Sequence, residues 1–273
     1  MAHVTRQHLA GLLLGGLLAC GGTAEKAPST IPAGQAMTGA VRVGYLHHST
    51  GGVVWGGGVQ TWLQGWNAAH GTGYRIAEVT YPSTAGGYPW ANYPYDYWNL
   101  WVSHTGSSRD RGEANLDDLA ASHDVIVWKH CFPVSGIGAD TGSASVSSEV
   151  KTAENYKLQY QALKARMRQF PDKRFLVWTG AALRAADTDA ASAQRARDFF
   201  AWVKSTWDEP GDNIFVWDFF ELETQGGNVL APAYATGDSH PNGTLAALAA
   251  PLVGKRIVDV IEGRGDSGSL TGQ

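Results

Sequence analysis

The chain is poor in cysteine, in clustered basic residues and in long apolar runs. It has only two cysteines, Cys20 and Cys131, in 273 residues. Because Cys20 belongs to the amino-terminal segment described next, Cys131 has no partner for an intramolecular disulfide. The formal net charge is −4, and the basic residues form no dense run, which argues against nucleic-acid binding. Beyond Cys20, no apolar run is long enough to cross a bilayer.

The first residues have the pattern of a targeting signal. Arg6 gives a short basic region, and the apolar run Leu9–Leu18 is too short to span a bilayer stably. The run leads into Leu-Leu-Ala-Cys20, which resembles the lipobox of bacterial lipoproteins, whose cysteine is lipidated. We predict a signal peptide at 1–19, lipidation of Cys20, and an exported protein whose only membrane association is the lipid, in the periplasm or at the cell surface. An ordinary secretory signal with a chance cysteine is the alternative.

The rest of the chain predicts one α/β domain and a monomer. A flexible tether is expected at 20–39, the domain at 40–262 and a disordered tail at 263–273. The predicted strands are Val41–Leu46, Tyr74–Thr80, Asp124–Trp128, Arg174–Trp178 and Asn213–Phe219. The predicted helices are Val59–Trp66, Glu113–Ala121, Glu149–Phe170, Asp189–Trp207 and Asn242–Ile261. This alternation predicts a three-layer α/β/α sandwich with a parallel, five-stranded, flavodoxin-like sheet.

Two polar segments lie at the predicted carboxyl ends of the first and last strands, where such sheets bind ligands. The first segment is His-His-Ser49-Thr-Gly-Gly, and the second is Gly-Asp238-Ser-His240-Pro-Asn. A serine hydroxyl becomes a nucleophile when a histidine takes its proton and a carboxylate orients that histidine. We therefore predict that Ser49, His240 and Asp238 are catalytic. The alternative is that Asp238 only caps the last helix and His240 is an exposed loop residue.

At these two segments the chain resembles the SGNH hydrolases, also called GDSL esterases and lipases. In that family a serine after the first strand is the nucleophile, and an Asp/His pair opening the last helix completes the triad. The resemblance therefore implies a serine esterase with Ser49, Asp238 and His240 in these roles. At these two segments the chain departs from the family pattern in two ways: Ser49 lacks the usual preceding Gly-Asp, and Asp-x-His replaces Asp-x-x-His.

The resemblance also implies an oxyanion hole. The family uses the N–H of the nucleophile, a glycine after the second strand and an asparagine after the third. In this chain Ser49 supplies the first donor, and Gly86 or Gly87 the second. The third strand is followed by Lys129-His130 and no asparagine, so one of these two side chains is expected to replace the missing donor.

An aromatic loop (residues 81–101) follows the second predicted strand. It carries Tyr81, Tyr88, Trp90, Tyr93, Tyr95, Tyr97, Trp98 and Trp101. One interpretation is a platform for sugar rings, and the other is a loop that packs on its own rings. The predicted substrate contacts are His48, Trp90, Tyr95, Asp96 and Trp98, with satisfaction of neighbouring backbone groups as the alternative role of Asp96. The predicted substrate is an O-acylated, typically acetylated, carbohydrate or another small ester, and no cofactor is expected.

Several alternatives remain open. The missing asparagine suggests a glycan-binding lipoprotein without catalysis, and transfer of the acyl group to a sugar instead of water is also open. A metal-dependent hydrolase would use His47 or His48 with Asp238 and His240, although adjacent strand residues point to opposite faces. We predict that Cys131 is a small buried hydrophobe, with a nucleophilic role as the alternative.

Overall fold

A computed structural model describes residue 1 and residues 32–273 of the chain. The predicted signal peptide, Cys20 and the first part of the predicted tether lie outside the described residues. The described chain forms one five-stranded sheet in the order β2-β1-β3-β4-β5, and every neighbouring pair is parallel. The strands are β1 Arg42–His47, β2 Arg75–Thr80, β3 Val125–Trp128, β4 Arg174–Trp178 and β5 Ile214–Trp217. The predicted parallel sheet is therefore confirmed.

Helices cover the sheet and complete the predicted three-layer sandwich. They are α1 Thr50–Gly56, α2 Val59–His70, α3 Pro94–Trp98, α4 Leu116–Ser122, α5 Ala153–Met167, α6 Ala190–Trp202, α7 Phe219–Thr224 and α8 Gly243–Ile261. Helices α1 and α2 pack on α8, whereas α3 and α6 pack on α5. The sequence did not predict α1, α3 and α7, because five to seven residues are too few for a helical periodicity to stand out.

The core lies on both faces of the sheet. Every residue of β3, β4 and β5 is buried, which explains why these strands read as continuous apolar runs in the sequence. Strand β1 pairs with β2 on one side and β3 on the other, so that Val43 lies between Ile76 and Val125. No helix in residues 32–273 has the length and apolarity needed to cross a membrane.

The amino-terminal part of the described chain packs on the domain although a tether was expected up to residue 39. The backbone N–H of Met37 donates to the carbonyl oxygen of Ile261 at 2.8 Å. The buried guanidinium of Arg174 donates to the carbonyl oxygens of Pro32 and Gln35, and also to that of Ile261 at 3.2 Å. The packed domain therefore includes residues from 32 onward, which composition alone does not reveal.

The prediction of a disordered tail at 263–273 is wrong. The backbone N–H of Asp218 donates to the carbonyl oxygen of Leu270 at 2.8 Å, and the indole N–H of Trp217 donates to that of Thr271 at 3.0 Å. The tail thus packs beside the end of β5. Its small polar residues suggested disorder, but the contacts that hold it use backbone carbonyl groups, which every sequence possesses.

Candidate active site

The chain turns sharply between β1 and α1 at residues 48–51, which we call the Ser49 turn. Ser49 has φ 51° and ψ −112°, a backbone conformation that residues other than glycine rarely adopt. Gly51 is required by close packing, since a Cβ there would lie 2.5 Å from His47 Cβ and 2.7 Å from Lys129 Cε. The turn leaves Ser49 exposed at the carboxyl edge of the sheet.

The structure brings the three predicted catalytic residues together. Ser49 Oγ forms a hydrogen bond with His240 Nε2, although the two residues are 191 positions apart. His240 Nδ1 lies 2.9 Å from Asp238 Oδ2. An N–H at Nδ1 that donates to this carboxylate leaves Nε2 free to accept the serine proton. The geometry is that of a Ser–His–Asp triad.

The Asp-x-His spacing works because the carboxylate turns back on its own loop. Asp238 Oδ1 accepts the backbone N–H of His240 at 2.9 Å and the hydroxyl of Thr236 at 3.0 Å. The backbone N–H of His240, its imidazole and the Thr236 hydroxyl together lower the pKa of Asp238 to about 2. The carboxylate is therefore ionised at neutral pH and available to the imidazole.

The helix-cap alternative for Asp238 is wrong. The side chain of Asn242 accepts the first backbone N–H groups of α8, at 3.0 and 3.1 Å, and so caps that helix. Asp238 makes its hydrogen bonds to Thr236 and His240 instead.

Two side chains that the sequence analysis missed also contact the His240 loop. Thr236 donates its hydroxyl to Asp238, a short-range pattern that Thr-x-Asp in a turn could have suggested. The ring of Phe132 packs edge-on against the imidazole of His240, with 5.0 Å between ring centroids. Phe132 follows β3 and is distant in sequence, so no local pattern signals this contact.

Two of the predicted oxyanion donors do not fit that role. The backbone N–H of Gly87 donates to the carbonyl oxygen of Thr84 at 2.9 Å. His130 is buried against aromatic rings, including Tyr97 at a centroid distance of 5.2 Å, and burial lowers its pKa to about 3. The predictions for Gly87 and His130 are therefore wrong, because the Gly87 N–H already has an acceptor and the His130 ring is buried among aromatic side chains.

Lys129 is also not an oxyanion donor. Its side chain is only 2% exposed and lies beneath the Ser49 turn, where Nζ donates to the carbonyl oxygen of His48 at 2.6 Å. The residue continues inward from the buried end of β3, so its ammonium group points to protein backbone and not to substrate. The backbone N–H groups of Ser49 and Gly86 stay predictions for the oxyanion hole.

The two histidines before Ser49 point in different directions, as strand alternation predicts. His47 Nε2 lies 2.8 Å from Glu78 Oε1, and His48 Nε2 lies 2.5 Å from the carbonyl oxygen of Pro82. A metal-dependent hydrolase would need one of them beside Asp238 and His240. Within residues 32–273, His, Cys, Asp and Glu side chains do not form a group of three suited to hold a metal ion.

The aromatic loop combines both interpretations. Most of its rings are buried and pack on one another: Tyr81, Tyr88, Tyr93, Tyr97 and Trp101. Trp90, Tyr95 and Trp98 are partly exposed. Trp90 lies nearest the Ser49 turn, with its ring centroid 5.9 Å from that of His48. The predicted contacts that best fit a substrate beside Ser49 are therefore His48 and Trp90.

The carboxylate of Asp96 binds backbone groups of the aromatic loop. It is 2% exposed and accepts the backbone N–H groups of Ala91 and Tyr93, each at 3.2 Å. Burial raises its pKa to about 7 in spite of these bonds. The prediction that Asp96 is a free acceptor for sugar hydroxyls is wrong, because its oxygen atoms already hold the loop backbone.

A cavity of about 200 Å³ opens on the far side of this loop. Its lining includes Tyr88, Tyr93, Tyr95, Asp110, Arg111 and Glu149. Tyr95 thus contributes to a recess that mixes aromatic rings with charged groups, while Trp98 packs beside Tyr95 at a centroid distance of 5.6 Å.

No protein-family model matches the chain, and no curated protein sequence does either. Among solved structures, an acetyl xylan esterase is 16% identical, with 77% of this chain and 95% of that chain covered and a TM-score of 0.44. A GDSL-like lipase from Bacteroides thetaiotaomicron is 12% identical (80% and 88% covered, TM-score 0.44). The periplasmic domain of a lipopolysaccharide acetyltransferase from Salmonella ser. Paratyphi A is 11% identical (82% and 86% covered, TM-score 0.44). The parallel α/β/α fold and the assembled Ser49, His240 and Asp238 agree with the resemblance to SGNH hydrolases that the two sequence motifs carry.

Proposed function

We propose that this protein is an exported serine esterase that hydrolyses an O-acyl ester on a carbohydrate. The observation that carries the proposal is the hydrogen-bonded series from Ser49 Oγ to His240 Nε2 and from His240 Nδ1 to Asp238. A serine beside a histidine base that a carboxylate orients is the arrangement that activates a hydroxyl for attack on an ester carbonyl.

The chemistry follows from these positions. His240 takes the proton of Ser49 as Oγ adds to the acyl carbonyl, and Asp238 stabilises the imidazolium that forms. His240 then returns the proton to the departing sugar oxygen, which leaves an acyl group on Ser49. A water molecule, deprotonated by the same imidazole, releases the carboxylic acid and restores the serine. The backbone N–H of Ser49, together with that of Gly86, is proposed to bind the developing oxyanion.

The exposure of the site supports a large substrate. Ser49 lies on the surface, and the side chain of Asp238 is 59% exposed. Such an open site suits an acyl group that projects from a polymer more than a small molecule that must be enclosed. Trp90, beside His48, offers an aromatic face next to the scissile bond, and aromatic rings stack on the apolar faces of sugars.

The first experiment is hydrolysis of p-nitrophenyl acetate by the purified protein and by Ser49→Ala and His240→Ala. Each substitution is expected to reduce kcat by at least about a thousandfold, because each removes a partner of the proton transfer. Ser122→Ala and His70→Ala remove an exposed serine and an exposed histidine outside the triad and serve as matched controls. Circular dichroism verifies that all four variants fold.

The outcomes separate the proposal from the glycan-binding alternative. Loss of activity in Ser49→Ala and His240→Ala, but not in the controls, supports the esterase. A wild-type protein that releases no nitrophenol and no acetate from acetylated polysaccharides, yet binds them, would instead support a binding protein. Activity that survives both triad substitutions would overturn the assignment of the site.

The carbohydrate part of the proposal has its own test. Trp90→Ala is expected to lower kcat/KM for release of acetate from an O-acetylated polysaccharide about tenfold, because loss of a stacking ring weakens sugar binding. It should leave p-nitrophenyl acetate hydrolysis within about twofold, since that ester lacks a sugar ring. Trp202→Ala changes a half-buried tryptophan of α6 and is the control. Equal effects of Trp90→Ala on both substrates would contradict a sugar contact at Trp90.

A further inference from the structure

Two buried side chains from the end of β3 lie directly beneath the Ser49 turn. Lys129 is 2% exposed and Cys131 is 1% exposed. Lys129 Nζ lies 2.6 Å from the carbonyl oxygen of His48 and 2.6 Å from Cys131 Sγ. Cys131 Sγ in turn donates to the same carbonyl oxygen of His48 at 3.2 Å. Both buried side chains thus bind the backbone of the Ser49 turn at His48.

Lys129 and Cys131 offset the cost of burying a charged group. An ammonium group in the interior is costly unless an opposite charge lies beside it, and burial lowers the pKa of Lys129. Burial opposes ionisation of Cys131, but the adjacent Lys129 ammonium favours it, and the pKa of Cys131 is lowered. The positive charge of Lys129 and the negative charge of an ionised Cys131 therefore offset each other beneath the turn.

The nearest acidic group is not the partner of Lys129. Glu223 on α7 is completely buried, and burial raises the pKa of its carboxyl group well above the ordinary value. Its Oε1 accepts the backbone N–H of Ala182 at 2.6 Å. The other ionisable group that faces Lys129 from β1 is His47, whose imidazole is hydrogen-bonded to Glu78.

We propose that Lys129 and Cys131 are positioning residues for the nucleophile, which hold the Ser49 turn in the backbone conformation that presents Oγ to His240. This inference rests on the proposed function. A non-glycine residue at φ 51° persists only where surrounding contacts fix it. The contacts that do so here come from Lys129 and Cys131, which both bind the carbonyl oxygen of His48.

The inference also accounts for the missing asparagine. Lys129 occupies the segment after the third strand where the family resemblance places a donor to the oxyanion. In this chain the Lys129 side chain instead binds the carbonyl oxygen of His48, the residue before the nucleophile. On this inference, Lys129 and Cys131 act on the rate through the position of Ser49.

The first test is Lys129→Met, assayed with p-nitrophenyl acetate. Methionine has a similar length without the charge, and Cys131 can then remain a neutral thiol. We expect kcat to fall about a hundredfold, because a small displacement of the nucleophile has this effect, while KM changes less than about twofold. The matched control is Lys164→Met on α5, which removes another buried ammonium, one that binds the Trp207 carbonyl and Glu209. That control should lower the Tm and leave kcat unchanged.

The second test compares Cys131→Ser with Cys131→Ala. A serine hydroxyl can still bond to Lys129 and to the carbonyl oxygen of His48, whereas alanine cannot. We expect Cys131→Ser to keep kcat within about threefold of wild type and Cys131→Ala to lose about tenfold or more. This rescue by the conservative variant would not occur if Cys131 only filled space. Cys131→Ala also keeps the test decisive if Lys129→Met does not fold.

The outcomes distinguish this inference from the proposed function. If Ser49→Ala abolishes activity while Lys129→Met and Cys131→Ala, both folded, keep the wild-type kcat, the positioning role is refuted and the esterase stands. If Ser49→Ala remains active, the proposed function itself fails. A loss of kcat in Lys129→Met that Lys164→Met reproduces would also overturn the positioning role.

Discussion

The two sides of the candidate triad are built in opposite ways. The nucleophile side is buried and long-range: the Ser49 turn rests on Lys129 and Cys131, which follow a different strand. The base side is exposed and local. Asp238 and His240 lie two residues apart and are hydrogen-bonded to each other, and Thr236 of the same loop donates to Asp238. In this candidate site, buried residues of the core position the serine, whereas a single surface loop positions the histidine and the aspartate.

This difference has consequences for how each side responds to substitution. Changes on the nucleophile side should alter folding and catalysis together, since the same buried contacts serve both. Changes on the base side should alter catalysis alone, since its side chains are largely exposed and replaceable without loss of packing.

The largest expected effect is on the base side. Asp238→Asn should lower kcat about a thousandfold, because an amide neither stabilises the imidazolium nor enforces the Nδ1–H tautomer of His240. The Tm should change little, since the carboxylate is 59% exposed. Kinetics and thermal unfolding measure both quantities, with the exposed Asp198→Asn as the control. A fall in kcat of less than tenfold would show that Asp238 does not orient His240.

On the nucleophile side, Gly51→Ala should affect both properties. Its Cβ would lie 2.5 Å from His47 Cβ and 2.7 Å from Lys129 Cε, so the buried lysine and the turn must shift. We expect a loss of about 1–3 kcal/mol in the free energy of unfolding and of about a hundredfold in kcat. Gly56→Ala, in the same helix with no atom within 4 Å of its Cβ, should be neutral or stabilising. Equal behaviour of the two variants would contradict the close packing at Gly51.

A smaller effect is expected from Thr236→Val. The substitution keeps the shape of the side chain and removes the hydroxyl that donates to Asp238 Oδ1 at 3.0 Å. One hydrogen bond contributes about 0.5–1.5 kcal/mol, so kcat should fall about threefold to tenfold. Thr236→Ser retains the hydroxyl and should behave like wild type. Loss of activity in both variants would assign the effect to packing.

The smallest effect concerns two carboxylates in contrasting surroundings. The pKa of exposed Asp238 is lowered to about 2, whereas that of buried Asp96 is raised to about 7. A raised pKa means that the folded protein binds a proton that the unfolded chain has released, so stability falls as pH rises from about 4 to 7. Asp96→Asn should therefore raise the Tm by a few degrees at pH 8 and change it little at pH 4. A Tm difference independent of pH would contradict the raised pKa.

The sequence predicted the sheet and the triad for related physical reasons. Runs such as Arg174–Trp178 are apolar over a strand length, and Ser49 and His240 follow the ends of the first and last strands, which a parallel sheet brings to one edge. Asp238 was predictable because its partner is two residues away.

The remaining features depend on contacts that no local pattern contains. Whether the Lys129 side chain reaches a substrate or stays buried beneath the Ser49 turn depends on packing between β1 and β3. The sequence suggested the first, and the structure shows the second. For Asp96 the sequence left open a contact with sugar hydroxyls or with neighbouring backbone, and the structure shows the second. The tail was misjudged because several of its contacts are made by backbone carbonyl groups, which leave no pattern in the sequence.

The hydrogen bonds of Arg174 hold the segment through which the described chain enters the domain. Arg174 stands at the first residue of β4 and holds residues 32–35, so the described chain enters the domain at the amino edge of the sheet. Ser49 and His240 lie at the opposite, carboxyl edge. If Cys20 carries the lipid that the sequence predicts, the chain would reach the domain at the edge of the sheet opposite Ser49 and His240. The side of attachment and the candidate catalytic residues would then lie at opposite edges of the sheet.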